Sequence, residues 1–151
     1  GTRSGWSNPV VADFNGDGRD DIASFHSGSG NWVVARSTGQ SFVNTVWGSF
    51  YTRNGWSTHL VGDYDGDGLD DIASYHVGTG NWIVSRSTGS GLVSSSWAKF
   101  TTTSGWSNQV VGDYDGDGRD DIASYHLGTG KWIVTQSTGE SFRATSWTGG
   151  A

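Results

Sequence analysis

The 151-residue chain repeats itself every 50 residues. "DFNGDGRDDIASFH" begins at Asp13, "DYDGDGLDDIASYH" at Asp63 and "DYDGDGRDDIASYH" at Asp113. The period extends past these stretches. "SGWS", "NGWS" and "SGWS" begin at Ser4, Asn54 and Ser104; "GNWVVARSTG", "GNWIVSRSTG" and "GKWIVTQSTG" come later in each unit; Trp47, Trp97 and Trp147 close the units. A fixed period of this kind points to a repeat architecture, in which one supersecondary unit buries its apolar face only against its neighbours. The chain reads as one repeat domain, 1–151, with units at about 1–50, 51–100 and 101–151.

Each unit reads as β-structure. "HLVGDY", "DIASYH" and "NWIVSRS" alternate or run apolar between Gly, Asp, Ser and Thr clusters, and "GLVSSSW" or "SFRATSW" supplies a weaker fourth strand. No 3.6-residue period of useful length is present. The expected fold is all-β, with four short strands in each of three units. Twenty-five glycines suit many tight turns, and nine Trp and six Phe supply apolar bulk.

Charge is concentrated in the repeated stretch. The net charge is −6, yet fourteen of the fifteen acidic residues are the loop aspartates and only Glu140 lies elsewhere. Arg19 and Arg119 offset two of them, which leaves the loops at −12 and the rest of the chain at +6. Three divalent cations would neutralise the whole. No basic stripe invites nucleic acid. No apolar run is long enough to insert in a membrane, and no signal peptide is seen. Cysteine and methionine are both absent. No disulfide can contribute, and the chain is expected to be a processed form or a piece of something longer.

Asp63, Asp65, Asp67 and Asp71 stand at positions 1, 3, 5 and 9 of a short loop. Calcium takes six to eight oxygens, and alternate residues of a tight turn can aim side chains at one centre. The residue at position 7, Leu69, offers its backbone carbonyl, which suits a position held by Arg19 and Arg119 in the other units. Glycines at positions 4 and 6 permit the sharp turn. The matching sets are Asp13, Asn15, Asp17 and Asp21, and Asp113, Asp115, Asp117 and Asp121. Asn15 keeps a ligand oxygen and loses a charge, so the first site should be the weakest. Position 12 is Ser24, Ser74 or Ser124, where an EF-hand has a bidentate Glu, and strands flank the loop in place of helices. An all-oxygen loop argues against zinc. The competing reading is a solvated Asp/Gly turn. Asp20, Asp70 and Asp120, at position 8, are expected to face solvent or to lie behind the ligands.

"GDYDGDGLDDIASYHVGTGNWIVSRSTG" resembles the FG-GAP/VCBS-type repeat of secreted bacterial and fungal proteins, related to the calcium-binding repeats of integrin α-chain propellers and of a mushroom lectin propeller. The resemblance implies that each unit is a four-stranded propeller blade with calcium between two of its strands, about three ions per chain. It also implies an extracellular setting, with adhesion, carbohydrate binding or an accessory part in polysaccharide degradation as roles. Propellers close with four to eight blades, so three would leave two exposed edges. Two chains closing a six-bladed homo-oligomer is the first expectation. A longer natural chain or a different packing of the units remains open, and a β-trefoil-like single domain is the rival fold.

Catalysis needs one asymmetric constellation of groups. Here every Asp belongs to a repeated loop, Glu140 is the lone Glu and no nucleophile elbow is seen. The chain is therefore read as a non-enzyme. Repeated surface groups suit multivalent binding of a glycan or glycoprotein. The candidate sugar-binding residues lie at glycine-rich tips: His26, Asn31 and Trp32; His76, Asn81 and Trp82; His126, Lys131 and Trp132. For these Trp, and for Trp6, Trp56 and Trp106, packing between blades is the alternative reading. His59 has no counterpart in the other units, and Arg36 and Arg86 give way to Gln136, so no role is assigned to them. A structural or adhesive self-assembling scaffold without a small ligand is the other functional class.

Overall fold

The expected strands form, four to a unit. The computed structural model describes residues 5–50, 54–101 and 104–147. The first unit holds β1 (Val10–Ala12), β2 (Asp21–His26), β3 (Asn31–Ser37) and β4 (Phe42–Ser49). The second holds β5 (Trp56–Gly62), β6 (Asp71–His76), β7 (Asn81–Ser87) and β8 (Leu92–Lys99). The third holds β9 (Trp106–Gly112), β10 (Asp121–His126), β11 (Lys131–Ser137) and β12 (Phe142–Ser146). Each unit is its own antiparallel meander, with strands side by side in chain order. Register repeats with the sequence: Phe25 faces Trp32, Tyr75 faces Trp82 and Tyr125 faces Trp132. Among the described residues no ladder joins strands of different units, which sets the trefoil aside and leaves three separate blades.

The blades stack face to face. β5 lies beside β1 and β9, and β8 lies beside β4 and β12, so matching strands of successive blades are neighbours. One apolar cluster joins the first two blades. Phe14, Phe25, Trp32, Val34, Trp47 and Phe50 meet Ile72 and Leu92, with Trp56, Val61 and Ile83 at its margin. A second cluster repeats the pattern one blade on, where Tyr64, Tyr75, Trp82, Val84, Trp97 and Phe100 meet Ile122 and Phe142. A single four-stranded sheet has no such core, because its inward side chains need a second layer to cover them. The hydrophobic stabilisation therefore resides at the seams between blades. Among the described residues, no blade covers the outer face of the first blade or of the third.

Hydrogen bonds cross the seams too. The Ser87 hydroxyl donates to the Phe14 carbonyl, and the Ser137 hydroxyl to the Tyr64 carbonyl. Buried polar groups are costly unless paired, and these two bonds align each third strand with the loop of the preceding blade.

Candidate metal centre

The aspartate loops connect the first and second strands of each blade, 13–20, 63–70 and 113–120, and lie side by side along one side of the row. The position-1 carboxylate organises each turn. One Asp63 oxygen accepts the N–H groups of Gly66 (2.9 Å) and Asp67 (3.2 Å), and the other accepts the Gly68 N–H (2.9 Å). Asp13 and Asp113 make the same three bonds. The chain curls this tightly because Gly66 and Gly68 take φ of 77° and 90°, a region that costs an L-residue strain.

The position-9 carboxylate anchors the turn to the sheet. Asp71 is fully buried at the start of β6. It accepts the Tyr64 N–H at 2.9 Å and the Ser87 N–H, at the end of β7, also at 2.9 Å. Asp21 binds Phe14 and Ser37 in this way, and Asp121 binds Tyr114 and Ser137. These serines of the "STG" segment escaped the sequence reading; their recurrence at one offset from the loop was the available signal.

Positions 1, 3 and 9 converge. Oxygens of Asp63, Asp65 and Asp71 lie within 4.8 Å of one another, as do those of Asp113, Asp115 and Asp121. In the first loop Asn15 occupies position 3 and donates to Asp17. Burial pushes the Asp71 carboxyl up to about 7, with nearby Asp65 and Asp67 adding to it against the two backbone donors. Burial likewise pushes Asp65 up to about 6, and it raises Asp121. Asp113 is held below the usual carboxylate range by backbone donors, Gly118 foremost. Carboxylates crowded in this way favour a proton or a cation among them. The donors are all hard oxygens, which suits calcium or magnesium and not a soft-ligand metal.

Position 5 makes different contacts. Asp17, Asp67 and Asp117 accept the N–H groups of Arg19, Leu69 and Arg119, each at 2.9 Å. The guanidinium groups of Arg19 and Arg119 also pair with Asp17 and Asp117 at 2.8 Å and donate to the Ser37 and Ser137 carbonyls. The position-7 side chain leans on the preceding loop. A Cβ on Gly16 would lie 2.8 Å from a Leu69 methyl, and one on Gly66 would lie 3.0 Å from the Arg119 side chain. Arg86 approaches Asp65 at 4.0 Å, and Gln136 donates to Asp115 at 3.1 Å. The Arg-to-Gln exchange thus keeps an N–H donor beside position 3.

Position 8 carries an unforeseen role. The Asp63 N–H donates to the Asp120 carboxylate at 2.8 Å, and the Asp120 N–H returns a bond to the Asp63 carbonyl at 2.9 Å. The Asp13 N–H likewise donates to the Asp70 carboxylate. Asp70 and Asp120 are therefore staples between successive loops. Gly62 makes room for the second staple, since a Cβ there would lie 3.1 Å from Asp120.

The tip residues divide. Trp32 and Trp82 are fully buried at the seams, as the reading of them as packing between blades expects, and neither offers an open face as a stacking platform. Trp132, the third copy, is 39% exposed on a face that no described blade covers. Asn31 and Asn81 are half-buried and Lys131 is exposed. The histidines brace the tips. His76 bonds Thr79 through Nδ1 (3.0 Å) and the Asn54 carbonyl through Nε2 (2.7 Å), with the Trp56 ring centre 4.9 Å away. His126 repeats this with Thr129, Ser104 and Trp106, and His26 with Ser29 and Trp6. Trp6, beside His26, is 44% exposed.

Trp6 borders a groove between the first two blades. Gly5, Trp6, Ser7, Phe25 and Ser27 face Asn54, Gly55, Trp56 and His59 across about 260 Å³. A second hollow adjoins it through Ser7, Trp56 and His59. His59, assigned no role from sequence, sits among Phe25, Trp32 and Trp56 with Nδ1 2.7 Å from the Ser74 hydroxyl. Burial lowers its pKa to about 4, so the ring is neutral near pH 7.

A family model described as FG-GAP-like repeat matches twice, over residues 13–74 and 63–124. The chain belongs to the FG-GAP-like repeat family. Among solved structures, that of an Agrocybe aegerita lectin described as specifically recognising non-reducing terminal N-acetylglucosamine superposes with a TM-score of 0.75. That match covers 95% of this chain and 39% of the lectin chain at 22% identity, so it shows a shared fold. The chain spans about two fifths of the lectin's length. No curated protein sequence matches.

Proposed function

We propose that this chain is a calcium-stabilised, carbohydrate-binding propeller module that acts outside the cell by binding and not by catalysis. The observation that carries the sugar reading is the groove between the first two blades. It is flanked by two indoles, Trp6 and Trp56, and edged by Ser7, Ser27, Asn54 and backbone groups. An indole packs against the apolar face of a pyranose, while hydroxyls and amides bond its rim, the usual mixture of a small-ligand site. The fold's likeness to a lectin that recognises N-acetylglucosamine makes a terminal N-acetylhexosamine the first sugar to try. FG-GAP-like membership supports calcium in the loops and an extracellular setting. Asp13, Asn15, Asp17 and Asp21 would hold the first ion, with Asp63, Asp65, Asp67 and Asp71, and Asp113, Asp115, Asp117 and Asp121, holding the others. The carbonyls of Arg19, Leu69 and Arg119 complete each set. The ion would neutralise the crowded carboxylates and fasten the loop that carries the staples.

Titration of the calcium-loaded chain with N-acetylglucosamine, followed by tryptophan fluorescence, tests the sugar reading. Saturable change is expected, lost in Trp6→Ala and unchanged in Trp132→Ala. A response that survives Trp6→Ala and Trp56→Ala, or no response to a panel of terminal sugars, would overturn it.

A further inference from the structure

The repeat breaks its own pattern around Arg36. In the second and third units the equivalent side chain has a partner at position 3 of the aspartate loop: Arg86 approaches Asp65 at 4.0 Å, and Gln136 donates to Asp115 at 3.1 Å. In the first unit position 3 is Asn15, a neutral amide that donates to Asp17. Among the described residues the Arg36 guanidinium has neither an ion pair nor a hydrogen-bond partner. The loop of its blade is also the least negative. Four Asp and Arg19 leave the first loop at −3, five Asp leave the second at −5, and five Asp and Arg119 leave the third at −4. Within the first loop Asp17 is already paired with Arg19.

Arg36 lines a hollow between the first two blades. With Thr45, Val46 and Trp47 of β4 it faces Gly89 and Ser90, in the turn between β7 and β8, across about 320 Å³. That space suits one small molecule. The Trp47 indole N–H donates to the Thr45 hydroxyl at 3.0 Å, which leaves the hydroxyl its own hydrogen to give. Ser90 is exposed at the rim, and Val46, 60% exposed, supplies an apolar wall. At the second seam the matching residues are Arg86, Ser95, Ser96, Trp97, Gly139 and Glu140. There the chain brings its own negative charge: Asp65 approaches Arg86, and Glu140 stands where the first seam has Ser90. The first seam keeps the cation and lacks both carboxylates.

We propose that this hollow binds an acidic sugar residue, with the sugar's carboxylate on the Arg36 guanidinium. The planar fork of an arginine matches a carboxylate through two parallel N–H donors. The ligand supplies the negative charge that Asp65 brings to Arg86. The Thr45 and Ser90 hydroxyls serve the ring hydroxyls, and Val46 serves the apolar face of the ring. A uronic acid carries this set of groups. A neutral sugar would leave the guanidinium unpaired, and a bare anion would leave the apolar wall unused. The hollow shares no residue with the groove beside Trp6, so the inference does not depend on the reading of that groove.

Calorimetric titration of the chain with sodium glucuronate at low ionic strength tests the proposal. Saturable binding is expected, weakened by added salt. Arg36→Gln and Ser90→Glu copy Gln136 and Glu140 of the third unit, so both variants should keep the β-sheet circular dichroism of the parent. Arg36→Gln should raise the glucuronate Kd about tenfold or more. Ser90→Glu should do the same by placing a carboxylate beside the guanidinium. Glucose and N-acetylglucosamine, which carry no charge, should not displace glucuronate, and inorganic sulfate should displace it only in large excess. No binding of glucuronate, or binding unchanged in Arg36→Gln, would overturn the proposal. Displacement by sulfate at equal concentration would also overturn it, since the hollow would then take bare anions.

Discussion

At the scale of single residues, Asp71 ties the aspartate loop to the sheet. Its carboxyl is pushed up to about 7 by burial among like charges, while in the unfolded chain it ionises near the usual 3.8. Without a cation the folded state holds that proton more tightly. Its stabilising contribution is full below about 4 and is lost as pH rises through about 7. Calcium bound there, as proposed, would remove the loss by replacing the proton. Calcium affinity should therefore rise steadily from pH 5 to 8, read by calorimetry, and Asp71→Asn should weaken the second site by about tenfold or more while flattening that rise. Asn15→Asp should tighten the first site.

His59 has the opposite sign. Its pKa falls to about 4 in the fold from 6.5, so its contribution is present above pH 6.5 and is lost as pH falls towards 4. The expected loss is on the order of 2–3 kcal/mol. His59→Gln, which copies Gln109 of the next unit, should flatten the acid limb of the stability profile in denaturant titrations. An unchanged acid limb would show that the ring titrates freely. No repeat pattern could have flagged this residue, because its role comes from Trp32 and Phe25 of another blade.

At the scale of elements, the stability rests in seams and loops. Trp32→Ala should cost about 3–5 kcal/mol, and Trp132→Ala far less in the monomer, since one indole is enclosed and the other is not. Gly66→Ala meets both a positive φ and the Arg119 side chain, and should cost about 1–3 kcal/mol with a weaker calcium site. Urea unfolding in calcium and in EDTA separates these two effects. Strand number and the position of the aspartate loops were legible in the sequence, because period, alternation and Asp/Gly chemistry are local. Which tryptophans are enclosed was not legible. Trp32, Trp82 and Trp132 have near-identical neighbours in sequence, and only the presence or absence of a following blade distinguishes them. The staple made by Asp70 and Asp120 was hidden for the same reason: its partner lies a whole unit away.

At the scale of the molecule, three blades form a row whose aspartate loops are linked to one another by position-8 carboxylates. An ion in one loop should therefore steady its neighbours, so that loss of the middle site in Asp63→Ala lowers the melting temperature more than loss of the first in Asp13→Ala, by scanning calorimetry in calcium. Equal shifts would make the loops independent.

Native mass spectrometry of the chain across a calcium series tests the metal reading most directly. Three ions per chain are expected, two filling together and the third, at the Asn15 loop, at higher calcium. A chain that carries no specific calcium at millimolar concentration would contradict it.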